Sequence, residues 1–135
     1  MNEITIPYHL AIPSIICIVG LLAILFYRNK LFKKNRTFWT AVTVFLVFYL
    51  FIVGGATYDD IYYQYEANRL DLNKDGLFST DEQTAELNEV MKNLTNDVGR
   101  NFSFITGFIF AFIISGIVYI FGRLFFNSKS ERQDK

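Results

Sequence analysis

The chain has 135 residues, enough for one ordinary domain, and 52% of them are hydrophobic and 18% aromatic. Its formal net charge is zero, so it lacks the basic excess of a nucleic-acid-binding chain, and its single cysteine, Cys17, excludes an internal disulfide and a cysteine-built zinc site. The apolar residues are blocked into long uncharged runs, which is the pattern of an all-α integral membrane protein with three transmembrane helices.

Residues 1–9 form a short N-terminus with one acid and neither the positive start nor the small-residue cleavage site of a signal peptide. His9, at the edge of the first apolar run, reads as a polar interfacial anchor. Residues 10–27 are the first span; at about 1.5 Å per residue they reach roughly 27 Å, just enough for a bilayer core. Pro13 is expected in the first helical turn, where a missing N–H costs little. Residues 28–37 carry Arg28, Lys30, Lys33, Lys34 and Arg36 with no acid and read as a connecting loop, with Thr37 as the N-cap of the next helix. The second span covers 38–57, with Phe38 and Trp39 at its entrance and Gly54-Gly55-Ala56 as a thin place near its far end.

Residues 58–101 are different. Tyr58, Tyr62, Tyr63 and Tyr65 leave the membrane among ten acids against four bases. Within this segment, Asp71-Leu72-Asn73-Lys74-Asp75-Gly76-Leu77-Phe78-Ser79-Thr80-Asp81-Glu82 places oxygen-bearing side chains at positions one, three, five, nine and twelve, and glycine at six. After it, Ser79 and Glu82 have the spacing of a capping box, so an exiting helix is expected to start there. Leu87, Val90, Met91, Leu94 and Val98 then recur on one helical face, which needs a partner: the entering helix, another membrane protein or a second copy of the chain.

The third span covers 102–122, behind an expected helix break at Gly99-Arg100-Asn101. It carries Ser103, Gly107, Ala111 and Ser115 four residues apart, a seam at which two helix backbones can approach closely in lipid. The tail, 123–135, is polar and weakly basic and is read without regular structure. Short basic segments stay on the cytoplasmic side, so the expectation is a multi-pass protein of the cell (inner or plasma) membrane. Its N-terminus and acidic segment then lie outside and its C-terminus is cytoplasmic.

The twelve-residue loop resembles the calcium-binding loop of the EF-hand family, and the resemblance extends through the flanking helices, about residues 58–98. It implies Ca²⁺ held by Asp71, Asn73, Asp75, the Leu77 backbone carbonyl, Ser79 and both oxygens of Glu82, with Mg²⁺ as a competitor, and Phe78 as the inward apolar anchor. The chain departs from the family in having Gln83 and Glu86 where the exiting helix normally places apolar residues, and in having one loop where such loops usually pair. No arrangement of nucleophile and base is present, so an enzyme is not expected.

Three functions are compatible with these features. The first is a calcium-responsive regulatory or sensor subunit of a membrane assembly. The second is a structural subunit in which Ca²⁺ only stabilises the external hairpin. The third is a component of an oligomeric channel or transporter, although the spans contain no Asp, Glu, Lys or Arg to line a pathway.

Overall fold

A long uncharged run must satisfy its backbone without water, and a helix does so within its own segment. The computed structural model describes residues 4–79, 83–95 and 97–133, with side chains as far as Phe125. Among the described residues all regular structure is helical: α1 (Tyr8–Lys34), α2 (Arg36–Leu70), α3 (Ala85–Thr95) and α4 (Val98–Gln133). Three of these, α1, α2 and α4, contain stretches long and apolar enough to cross a membrane. Their 27, 35 and 36 residues correspond to roughly 40, 52 and 54 Å, against a hydrocarbon core of about 30 Å. Every long helix therefore extends well past the apolar layer.

That extension corrects several boundaries. Residues 28–34 continue α1, because Arg, Lys, Leu and Phe carry no signal to stop and Lys33 and Lys34 suit the negative end of a helix. Asn35, at φ −156°, makes the turn alone: its N–H bonds the Leu31 carbonyl at 3.2 Å and its side chain accepts the Phe38 N–H at 3.1 Å. Asn35 is the N-cap expected at Thr37. Because α1 starts at Tyr8, Pro13 falls beyond its first turn. Helix α2 runs unbroken through Gly54-Gly55 to Leu70. Residues 99–101 lie inside α4, which also continues through the tail to Gln133.

The exiting helix begins at Ala85, where Thr84 Oγ1 accepts the Leu87 N–H at 3.1 Å. Thr84 takes the capping role expected of the Ser79/Glu82 pair. This late start accounts for the displaced apolar stripe, since Gln83 precedes the helix and Leu87 is the first large apolar residue in it.

Helix α2 packs along both α1 and α4, which scarcely touch each other. The packing relies on small residues. Gly20 admits Leu46, whose Cδ1 would stand 3.1 Å from a Cβ there. A Cβ on Gly107 would meet Ile52 Cγ2 at 2.7 Å, and one on Gly122 would meet Thr37 Cγ2 at 2.7 Å. Between these pinches Ala111 is fully buried with Cys17, Tyr49 and Val53. Tyr49 donates its hydroxyl to the Phe104 carbonyl across the crossing at 3.0 Å. Ser14 and Thr57 return their hydroxyls to the Leu10 and Val53 carbonyls of their own helices, as an apolar surrounding demands. The outer faces stay apolar and open: Phe26 is 82% exposed, Phe51 77% and Phe112 65%. Such surface is costly in water and neutral in lipid.

Candidate functional site

The loop after α2 is wound by its own side chains. Asp71 closes α2 through its N–H to the Ala67 carbonyl, then leaves the helix at φ −78° and ψ 93°. Its carboxylate is almost wholly buried, and Oδ2 accepts the Gly76 N–H at 2.9 Å, drawing position six back over position one. Asn73 Oδ1 accepts the Asp75 N–H at 3.0 Å and Asp75 Oδ1 accepts the Leu77 N–H at 2.7 Å. These are successive Asx turns, which tighten the chain around alternate polar residues. Asn73 Nδ2 also donates to Asp75 Oδ2 at 3.0 Å.

The winding needs two left-handed residues, Lys74 at φ 58° and Gly76 at φ 78°. Glycine adopts this region freely, whereas a residue with a Cβ carries a cost of about 1–2 kcal/mol there. Asp71, Asn73 and Asp75 are thus gathered by local turns. Ser79 is exposed, as is the Leu77 side chain. Glu82, the expected twelfth ligand, lies outside the described residues.

Behind the loop, Phe78 lines a cavity of about 270 Å³ with Gln64, Ala67 and Asn68 of α2 and Met91 and Leu94 of α3. Leu87 is 2% exposed, and Val90, Met91 and Leu94 are half-buried. The stripe that called for a partner is largely covered by the chain's own α2. Only Val98, which belongs to α4, stays open at 66% exposure.

The polar centre of this end lies in residues that the sequence did not single out. Arg100 of α4 donates Nε to Asp60 Oδ1 of α2 at 3.1 Å, and the two side chains are only 10% and 14% exposed. Its terminal nitrogens donate to the Asn93 and Leu94 carbonyls at 3.1 and 3.0 Å, capping the C-terminal end of α3. The guanidinium also lies 5.8 Å from the Tyr63 ring centroid. Asp60 Oδ2 accepts from Gln64 at 2.8 Å, and Gln64 clasps the Thr5 backbone through both its N–H and its carbonyl. One network therefore ties the N-terminal segment to α2, α3 and α4.

Lighter ties complete the arrangement. Arg69 pairs with the half-buried Glu66 at 2.8 Å and with the exposed Glu86 at 2.9 Å. His9 meets Asn101 Oδ1 at 2.9 Å, joining α1 to α4, and Asn101 donates to Asp97. The available clue to the network was composition: Asp60 and Arg100 are charges immediately outside two apolar runs, where an opposite charge from a neighbouring span can reach them.

Of the seam residues, Gly107 faces Ile52 of α2, Ala111 is fully buried, Ser103 is 7% exposed, and Ser115 is half-buried. Compared with known protein families, with curated proteins and with solved structures, the chain matches none.

Among the described residues no three His, Cys, Asp or Glu side chains stand together as a metal site. The loop's remaining donors are of other kinds, an amide, a hydroxyl and a main-chain carbonyl. All are hard oxygens, the type a calcium-sized cation takes, and glycine occupies the left-handed position at the turn.

Proposed function

We propose that this chain is a small multi-pass membrane protein that binds Ca²⁺ through one EF-hand-like loop and acts as a calcium-responsive regulatory or sensor subunit of a membrane assembly. Asp71, Asn73, Asp75, the Leu77 carbonyl, Ser79 and Glu82 hold the ion, and Mg²⁺ competes for it. The bound ion would neutralise the loop's acids and draw their oxygens together. The basic end, residues 28–37, faces the cytoplasm, and the loop and N-terminus face outward, where calcium near millimolar suits a weak site of about 10⁻⁴–10⁻³ M.

The observation that carries the reading is the Arg100 clamp. It holds α3, the helix leaving the loop, to both α2 and α4, so a change in the loop has a short rigid route to two spans. Cysteine pairs across α2 and α4, crosslinked in calcium and in chelator, test it. A calcium-dependent yield that disappears in Asp71→Ala supports regulation. An unchanged yield refutes it.

The structural reading has its own support. Leu87, Met91 and Phe78 already seat α3 and the loop against α2. In that case calcium raises the melting temperature of the outer segment while crosslinking stays constant.

A further inference from the structure

We propose that the groove between α1 and α2 is a binding site for one anionic phospholipid, its acyl chain in the groove and its phosphate on Arg28. The groove has a volume of about 470 Å³ and is lined by Ile18, Leu22, Leu25 and Phe32 of α1 and Leu50 of α2, with Arg28 among them. That volume lies within the usual range for a built ligand site, roughly 300–1,000 Å³. Its wall is open toward the surroundings, with Ile18 46%, Leu22 48% and Leu25 64% exposed.

The register identifies the occupant. From Ile18 to Arg28 is about 15 Å along the helix axis, half of a bilayer core of about 30 Å. The groove thus begins near the membrane midplane and ends on the aliphatic stem of Arg28, whose guanidinium lies beyond the wholly apolar lining, at the depth of one leaflet's phosphates. A planar guanidinium can bind two phosphate oxygens at once.

Charge excludes the simplest competitor. Residues 4–58 and 98–130 contain no Asp or Glu, so another copy's span laid in the groove brings no anion to Arg28. The acids nearest this end of the chain are Glu131 and Asp134 of the tail. Lys30, Lys33, Lys34 and Arg36, close by in sequence, add to the positive field. An apolar chain ending in a net negative head suits the groove, Arg28 and the surrounding positive field; a zwitterionic lipid also brings a phosphate, but its own cation is repelled by that field.

The test uses the full chain in nanodiscs of equal parts phosphatidylcholine and phosphatidylglycerol, with retained lipid read by native mass spectrometry. The expected result is preferential retention of one phosphatidylglycerol, lowered about fivefold by Arg28→Gln, lowered less by Arg28→Lys, which keeps the charge without the two-pronged geometry, and lowered far less by Lys30→Gln, whose side chain does not line the groove. Leu22→Trp, which fills the groove, is expected to remove retention of both lipids, with circular dichroism reporting the fold. Equal retention of the two lipids by the unaltered chain overturns the proposal. So does a loss in Lys30→Gln equal to that in Arg28→Gln, which makes the preference a property of the general field. A Leu22→Cys chain that forms disulfide-linked dimers under oxidation also overturns it, because a second copy then occupies the groove.

Discussion

Replacing Arg100 by glutamine removes a side chain that joins the start of α4 to both α2 and α3. The guanidinium makes a charge-assisted bond to Asp60, two bonds to α3 carbonyls, and a cation–π contact with Tyr63. Such bonds contribute about 1.5–3 kcal/mol for the charged one and about 1 kcal/mol for each of the others, with about 0.5–1 kcal/mol from the ring. The site lies at the edge of the apolar layer, so water can reach part of what glutamine leaves bare. A net loss of about 2–4 kcal/mol is therefore expected, below the full cost of stranding a deeply buried charge.

The loss should fall on α3, whose last carbonyls would be orphaned, more than on α1 and α2. Hydrogen exchange in detergent reads it directly. Amides of residues 87–94 should exchange roughly 30- to 700-fold faster, the factor that 2–4 kcal/mol represents. Amides of the α1–α2 pairing, joined through Gly20 and Leu46, should hold their protection. If α3 exchanges within threefold of the unaltered chain, Arg100 is not the clamp inferred here.

Three further outcomes follow from the packing. Gly107→Ala puts a methyl 2.7 Å from Ile52 Cγ2, on a β-branched side chain with little freedom to yield, and should destabilise α2–α4 packing by about 1–3 kcal/mol, measured by steric trapping or thermal melting. Gly55→Ala meets nothing within 4 Å and should stabilise α2 by about 0.5–1 kcal/mol in the same assay. Glu86→Ala removes an exposed partner of Arg69 that still keeps Glu66, and should change stability by less than about 1 kcal/mol.

The sequence made the spans legible because uncharged runs of about 20 residues have few other fates. Its helix ends were harder to read. Residues 28–34 look like a loop by charge, yet five of the seven are Arg, Lys or Leu, which favour a helix, and the helix ends only at Asn35. The tail and Gly99-Arg100-Asn101 misled in the same way, since each extends one end of a helix that the apolar run between them already nucleates. The turns at Asp71, Asn73 and Asp75 were readable because Asx chemistry is local. The clamp was not, because Asp60 and Arg100 lie 40 residues apart and meet only once α2 and α4 have paired. The stripe on α3 called for the entering helix, another membrane protein or a second copy, and the entering helix, α2, covers most of it.

In the proposed calcium-responsive role, the extent of the response is bounded by the binding energy of one loop. A site that binds the folded loop alone contributes about 1.4 kcal/mol when calcium is tenfold above its dissociation constant, and about 2.7 kcal/mol at a hundredfold. Moving a two-state equilibrium from one per cent to ninety-nine needs about 5.5 kcal/mol of differential binding. One loop therefore supports a graded shift, of the five- to hundredfold kind usual for coupled sites, and not an all-or-none switch. That shift has two routes to the α2–α4 contact: directly along α2, whose C-cap is Asp71, or through α3, which Arg100 holds at its far end. In Arg100→Gln the loop should still bind calcium with little change in affinity, since Asp71, Asn73 and Asp75 are wound by bonds that do not involve Arg100. If the shift passes through α3, the calcium-dependent crosslink between α2 and α4 should vanish all the same. If it persists with its full amplitude, calcium acts on the spans through α2 alone, and the clamp is a staple with no part in the response.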